Sequence, residues 1–176
     1  WTKGLEEFTS LALRPDMKDV FFFLGGAISW SEITPTKKAW MQQAWEQAPN
    51  IYAHLERIST EQALNALLCS SDAVFAAYRS FPNSSNMLIK AAIFEKPVVV
   101  SDGFLMAERV RAYRMGEIVP EGDVPALAAA IKRMLSPGYE DALAAQARWA
   151  EYSANHASSR LPGCFERILE SVADDT

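Results

Sequence analysis

The sequence has few of the residues that build disulfide frameworks and metal centres, with two cysteines and two histidines among 176 residues. Cys69 lies in the apolar segment ALLCSSD and is predicted to be a buried, unreactive thiol. Neither Cys69 and Cys164 nor the widely separated histidines show the spacing of metal ligands. The sequence therefore predicts a protein without a metal site, and the scarcity of cysteine favours a reducing, cytoplasmic compartment.

Long apolar segments and long basic segments are also missing. No apolar stretch reaches the ~18 residues that a membrane-spanning helix needs, so any membrane contact is expected to be peripheral. The formal net charge is −5 and no basic run occurs, which argues against nucleic acid as a partner. The length predicts one domain, 1–176, and because the chain begins at Trp1 rather than methionine, we expect a fragment of a longer protein.

Short apolar runs alternate with segments of helical periodicity along the chain. Five runs are predicted to be strands, at 20–26, 50–55, 72–78, 97–102 and 117–120. The first of them, VFFFLGG, is continuous, which is typical of a strand buried on both faces. Helices are predicted at 3–13, 35–48, 59–68, 85–96, 104–114 and 124–135, with two more in the tail 139–173 that are interrupted near 161–163.

Two helix ends carry a specific signal in this pattern. Ser59 and Gln62 match a capping box at the start of the helix that follows the second strand. Gly116 follows the helix that ends near Arg114 and is predicted to terminate it in the left-handed conformation.

The alternation predicts an α/β fold with a doubly wound, Rossmann-like parallel sheet, because parallel strands need crossover helices. Ligands of such sheets bind beyond the carboxyl ends of the strands. Gly25 and Gly26 follow the first strand and can bring the backbone close to a ligand. Ser84 and Ser85 precede a helix, where free N–H groups favour phosphate. Taken alone, the serines are better explained as caps of that helix.

The order of these segments resembles the C-terminal, donor-binding domain of GT-B glycosyltransferases of the group 1 (family 4) type. The resemblance covers residues 2–135 and rests on the segments KGLEEF, FFFLGG, NIYAHLERISTEQALNALLCSSDAVFAAY, SSNMLIKAAIFEKPVVVSDG and ERVRAYRMGEIVPEGDVPALAAAIKRML. It implies a Rossmann-like half of a two-domain enzyme. That enzyme would bind a nucleotide-diphosphate sugar and would transfer the sugar with retention of configuration.

The resemblance also implies roles for individual residues. The family carries Lys-Gly near the start of this domain, with the lysine on the donor diphosphate, and Lys3 and Gly4 match it. The nucleobase pocket of the family maps onto Arg57 and Ile58, after the second predicted strand. Without the resemblance, Lys3 is a solvated lysine and the Arg57 segment an ordinary loop. Lysine, arginine and the helix dipole replace a metal in this fold, so neither a metal nor a cofactor is implied.

One family signature is degenerate. The family has Glu-x7-Glu before its Gly-x-Pro-Val-Val segment, and the match of KPVVV places the two glutamates on Pro82 and Lys90. A charged lysine cannot accept the hydrogen bonds of a ribose, although its long stem could bring a charge to a phosphate.

Three accounts of the degenerate signature stay open. The chain could come from a divergent glycosyltransferase that uses Asn83, Ser84, Ser85 and Asn86 in place of the carboxylates. It could instead bind a different phosphorylated ligand, or serve as a scaffold without catalysis. In any of these the isolated chain is not expected to be active, since the resemblance implies a missing N-terminal acceptor domain. The tail 139–176 is expected to cross to that domain through Leu161, Phe165, Ile168 and Leu169.

Overall fold

A computed structural model describes residues 3–31 and 33–156. Five strands alternate with helices in the order that the sequence predicts. The strands are β1 (Phe22–Gly25), β2 (Ile51–His54), β3 (Val74–Ala76), β4 (Val98–Ser101) and β5 (Gly116–Val119). The α-helices are α1 (Leu5–Ala12), α2 (Pro35–Gln47), α3 (Glu61–Ser70), α4 (Asn86–Ile93), α5 (Leu105–Tyr113), α6 (Val124–Met134), α7 (Tyr139–Ala144) and α8 (Trp149–Asn155).

All strand pairs in this part of the chain are parallel, which confirms the predicted fold class. β1 pairs with β2, and β4 lies between β3 and β5, so the hydrogen-bonded strands form two groups. Phe8 of α1 joins the groups, because its ring packs edge-on against Phe22 of β1 at 5.5 Å and against Phe75 of β3 at 5.4 Å between ring centroids. A shared apolar core therefore connects the two groups where no strand ladder does.

Helices cover both faces of the strands. On one face α1, α2 and α6 share a core with Phe22, Ile51 and Val99. On the other face α4, α5 and α8 pack on Val98 and Val100. Strand β4 is buried along its whole length, which explains the uninterrupted valines of its sequence.

The prediction that the first strand is buried on both faces is wrong. Phe21 is 67% exposed and Phe23 is 36% exposed, while Phe22 between them is buried. The cause is α3, which passes this face loosely and buries only Leu68 of its own residues. For the same reason Cys69 of α3 is exposed, contrary to the buried thiol predicted from its apolar neighbours.

Two predicted helix ends are also corrected. Thr60, rather than Ser59, caps α3, and its hydroxyl accepts a hydrogen bond from the backbone N–H of Ala63 at 3.1 Å. Arg114, rather than Gly116, takes the left-handed conformation after α5, with φ 55° and ψ 47°. In the described part of the tail, α7 and α8 are separate helices. The interruption predicted near 161–163, and Leu161, Phe165, Ile168 and Leu169, lie outside the described residues.

The corrected cap leads to a matched pair of substitutions. Thr60→Ala is expected to lower the free energy of unfolding by about 1 kcal/mol, because the N–H of Ala63 loses its acceptor. Ser59→Ala is expected to change it by less than about 0.5 kcal/mol, as is usual for a surface position. Urea unfolding followed by circular dichroism compares the two, and an equal loss in both variants would contradict the assignment of the cap.

Within the described residues, no helix is long and apolar enough to cross a membrane.

Candidate functional site

The glycines after β1 meet the loop after β2. The backbone N–H of Gly26 donates to the carbonyl of His54 at 2.9 Å, which keeps the ends of both strands in register. A Cβ on Gly25 would lie 2.5 Å from the ring of Phe23 and 3.2 Å from Cδ1 of Ile58. Ile58 therefore closes onto the bare backbone of Gly25, and the structure brings these two predicted residues together.

An open groove of about 630 Å³ lies beside this junction. Arg57 and Ile58 line it together with the rings of Phe23 and Tyr52, which stack at 5.9 Å between centroids. The groove exists because α3 stands away from the outer face of β1 and β2. The ring of Phe23, whose exposure contradicts the predicted burial of β1, thus forms with Tyr52 one wall of a concave surface that Arg57 and Ile58 also line.

Lys3 lies at the end of β3, beside the loop that leads to α4. Its ammonium is 4.2 Å from the ring centroid of Tyr78 and 4.4 Å from that of Phe81, within the range of cation–π contact. Burial lowers the pKa of Lys3 from its ordinary value. The hydroxyl of Tyr78 is 3.4 Å from that of Ser85, so Lys3 and the start of α4 share one neighbour.

The structure explains why position 4, after Lys3, is a glycine. Gly4 precedes α1 with φ 70°, and a Cβ there would lie 2.3 Å from the carbonyl oxygen of Ala77. Only a residue without a side chain can bring the start of α1 so close to the end of β3. This approach places Lys3 against the aromatic rings of Tyr78 and Phe81.

Ser84 and Ser85 have different roles in the structure. Ser85 caps α4, with its hydroxyl accepting from the backbone N–H of Met87 at 3.3 Å, so capping occurs as the sequence allowed. The hydroxyl of Ser84 accepts instead from the guanidinium of Arg109, which belongs to α5. Asn83 is exposed in the same loop.

Lys90 contacts another helix. Its ammonium forms an ion pair with the carboxylate of Glu61, the first residue of α3. The side chain of Lys90 is 17% exposed and that of Glu61 is 66% exposed. The pair joins the helix that follows the Arg57 loop to the helix that follows the serines. A contact between Lys90 and phosphate stays a prediction.

The structure therefore assembles the predicted residues into two clusters. Gly25, Gly26, Arg57 and Ile58 form one at the ends of β1 and β2. Lys3, Asn83, Ser84 and Ser85 form the other around the start of α4, and the Glu61–Lys90 pair lies between their helices. Arg109 was missed by sequence reasoning, because nothing in the segment ERVRAYR distinguishes it from Arg111 and Arg114.

Metal-ligating groups are not concentrated in this region. Within residues 3–31 and 33–156, no three His, Cys, Asp or Glu side chains lie close enough together to hold a metal ion. At the end of β4, the guanidinium of Arg111 lies 3.0 Å from the carboxylate of Asp102, and this contact lowers the pKa of Asp102.

The parallel strands, the helices on both faces and the candidate site at the strand ends define a Rossmann-like α/β domain. Comparison with solved structures agrees. WaaG, a glycosyltransferase involved in lipopolysaccharide biosynthesis, superposes with a TM-score of 0.68 at 16% identity, covering 95% of this chain and 43% of WaaG. Sucrose-phosphate synthase (tll1590) from Thermosynechococcus elongatus superposes with a TM-score of 0.62 at 18% identity, covering 97% of this chain and 43% of that enzyme.

The sequence itself identifies the family. Residues 5–137 match the profile of the family described as glycosyl transferases group 1. The chain belongs to this family and has the GT-B, Rossmann-like fold, which confirms the family resemblance. A comparison with curated proteins gave no match. The chain spans less than half of the length of the two solved proteins that it resembles.

The ion pair between α3 and α4 can be tested by reversing its charges. Lys90→Glu is expected to lower the free energy of unfolding by about 1 kcal/mol, because it places two carboxylates together across a partly exposed contact. Adding Glu61→Lys should restore most of that loss, and a double-mutant cycle from urea unfolding measures the coupling. Lys18→Glu, at an exposed position, is the control for charge alone. A charge-reversed double variant as unstable as Lys90→Glu would contradict the pairing.

Proposed function

We propose that this chain is the donor-binding half of a retaining glycosyltransferase and binds a nucleotide-diphosphate sugar along the carboxyl ends of its strands. The observation that carries the proposal is the position of Lys3. Its ammonium lies over the rings of Tyr78 and Phe81, and the hydroxyl of Tyr78 is 3.4 Å from that of Ser85, which caps the following helix. Family membership makes sugar transfer the chemistry for which such an arrangement is used.

The diphosphate would bind around the start of α4. Lys3 supplies a positive charge, and Ser84 and Ser85 supply hydroxyl groups at the positive end of the dipole of α4. A lysine at a diphosphate stabilises the negative charge that grows on it as the sugar departs. No metal or other cofactor is needed in this proposal, since cationic side chains and the helix dipole meet that charge.

The nucleobase would bind at the other cluster, against Ile58 and the bare backbone of Gly25 and Gly26. A Cβ on Gly26 would meet nothing within 4 Å, so the backbone there is open to a ligand. The stacked rings of Phe23 and Tyr52 extend this apolar wall into the groove. Arg57, which lines the groove, would lie at the edge of the base.

The ribose contact is where this chain departs from the family pattern. Position 90 carries a lysine, and the carboxylate that reaches it belongs to Glu61. Asn83, Ser84 and Ser85 offer neutral hydrogen-bonding groups in the preceding loop. We propose that these groups, rather than the two family glutamates, contact the ribose and sugar hydroxyls.

The remaining half of the enzyme is proposed to lie in a separate domain that presents the acceptor. Residues 1–176 would then form one donor-binding domain, on which the described part of the tail, α7 and α8, packs. The compartment is proposed to be the cytoplasm.

Titration of the intact protein tests the donor proposal. Isothermal titration calorimetry would use UDP- and GDP-sugars, the free nucleoside diphosphates and inorganic pyrophosphate. Binding of a nucleotide sugar, and weaker binding of the matching nucleoside diphosphate, is expected. A protein that ignores all nucleotide sugars and nucleoside diphosphates would overturn the proposal. Binding of pyrophosphate alone would favour a site for a different phosphorylated ligand.

A further inference from the structure

The side chain of Arg109 reaches from α5 to the loop before α4. Its guanidinium donates to the hydroxyl of Ser84 and lies 3.5 Å from the hydroxyl of Tyr152 in α8. Arg109 is partly buried, whereas its neighbour Arg111 is exposed. A cation from a different helix therefore touches the serine pair that forms the candidate phosphate site.

No carboxylate neutralises this cation within the part of the chain that the structure describes. Among the described residues, Arg109 contacts two hydroxyls and forms no ion pair. Other arginines in the region differ: Arg111 pairs with Asp102 at 3.0 Å, and Arg148 pairs with Glu151 at 3.0 Å. A partly buried guanidinium that has only neutral partners loses hydration without regaining an opposite charge.

Packing of α8 determines where Arg109 points. Tyr152 is 1% exposed, and its ring packs edge-on against Tyr113 at 5.0 Å and stacks on His156 at 4.1 Å between centroids. The hydroxyl beside Arg109 is therefore carried by an immobilised ring. A guanidinium placed in this way has already lost side-chain freedom before a ligand arrives, which favours binding.

Arg109 and Lys3 approach the serine pair from different elements of the fold. Lys3 precedes α1, which packs in the core formed with α2 and α6. Arg109 belongs to α5, which packs with α4 and α8 in the other core. Lys3 reaches Ser85 through Tyr78, and Arg109 touches Ser84 directly.

We propose that Arg109 is a second cationic ligand of the donor diphosphate, in addition to Lys3. This inference rests on the proposed function and adds to it a residue that the sequence did not single out. The planar guanidinium can donate two parallel hydrogen bonds to phosphate oxygens. With one cation touching Ser84 and another beside the tyrosine that contacts Ser85, the serine pair suits a diphosphate rather than an uncharged sugar.

Arg109→Gln tests the proposal in the intact protein, with Arg111→Gln on the same helix as the matched control. Calorimetric titration would use a nucleotide sugar that the wild type binds, the corresponding unphosphorylated nucleoside, and inorganic pyrophosphate. Arg109→Gln should weaken binding of the nucleotide sugar and of pyrophosphate by about tenfold to a hundredfold, the range for hydrogen bonds to charged groups. Binding of the nucleoside should not change, and Arg111→Gln should bind all three like the wild type. Arg109→Lys should fall between the wild type and Arg109→Gln, because it keeps the charge and loses the planar fork.

The outcomes separate this inference from the proposed function. Wild-type affinity for the nucleotide sugar in Arg109→Gln would overturn the inference and leave the proposed function intact. A wild type that binds pyrophosphate but no nucleotide or nucleotide sugar would overturn the proposed function and, with it, the diphosphate role of Arg109. Equal weakening of nucleoside and nucleotide binding in Arg109→Gln would show a general loss of structure. That result would also overturn the diphosphate role of Arg109. Thermal unfolding of each variant, with melting temperatures close to the wild type, confirms that the affinities compare folded proteins.

Discussion

Gly116→Ala is expected to lower the free energy of unfolding by about 3 to 5 kcal/mol, from backbone strain together with overpacking. Gly116 begins β5 with φ +152°, and a Cβ there would lie 2.0 Å from the carbonyl oxygen and 2.6 Å from the nitrogen of Val98. Val98 is the partner of Gly116 in the parallel ladder and is completely buried. Because helices cover both faces of β4, its backbone cannot move away from the added methyl group.

Urea unfolding of Gly116→Ala and Gly138→Ala measures this effect against a matched control. Gly138 also has a positive φ, +81°, but a Cβ there would meet no atom within 4 Å. Gly138→Ala therefore includes the conformational cost of a side chain at positive φ, about 1 kcal/mol. It lacks the steric clash that the added Cβ makes with Val98 in Gly116→Ala. An equal loss in the two variants would show that the contact with Val98 is unimportant.

Lys3→Ala is expected to weaken binding of the donor by about tenfold to a hundredfold, because a charge-assisted contact to the diphosphate is lost. The ammonium is already held by Tyr78 and Phe81, so little further ordering is needed when the donor binds. Lys38→Ala is the matched control, since the ammonium of Lys38 lies 5.0 Å from the ring centroid of Trp30, in a different part of the fold. Unchanged donor affinity in Lys3→Ala would remove Lys3 from the proposed site.

The same lysine predicts a pH dependence of donor binding. Burial lowers the pKa of Lys3 below its ordinary value of 10.5 in the free protein, so its positive charge is lost earlier than usual as the pH rises. Donor affinity should fall as the pH rises through that lowered pKa, and bound diphosphate should shift the fall to higher pH by favouring the charged form. Calorimetric titration at several pH values measures the effect. In Lys3→Ala, the part of the decrease in donor affinity that comes from deprotonation of Lys3 should be absent.

Local patterns determined the secondary structure and its order. The unbroken valines of β4 form a strand that is buried along its whole length, because helices cover it on both sides. The equally apolar run at 20–26 was predicted to be a strand buried on both faces, and this prediction is wrong. Phe21 and Phe23 are exposed, because the helix that they face stands away from them. An apolar sequence indicates that a segment can be buried. Whether the segment is buried depends on where a neighbouring helix packs.

At the helix ends, too, the sequence limits which residues can cap a helix, and the packing determines which of them does. Two adjacent hydroxyl residues precede each of α3 and α4, and in each pair the second, Thr60 or Ser85, caps the helix. After α5 the left-handed residue is Arg114, because the chain must turn before Gly116 enters β5 against Val98. Residue propensity limits the possible capping or terminating residue to two or three positions. The packing of the flanking elements determines which of these positions is used.

The sequence by itself determined the α/β class, the family and the residues that follow each strand, because periodicity, turn residues and segment order are local properties of the chain. Only the tertiary structure decided that Lys90 pairs with Glu61 and that Arg109, among three nearby arginines, touches Ser84. These contacts join side chains 29 and 25 residues apart in sequence. Their geometry depends on how whole helices pack, and no local pattern encodes it.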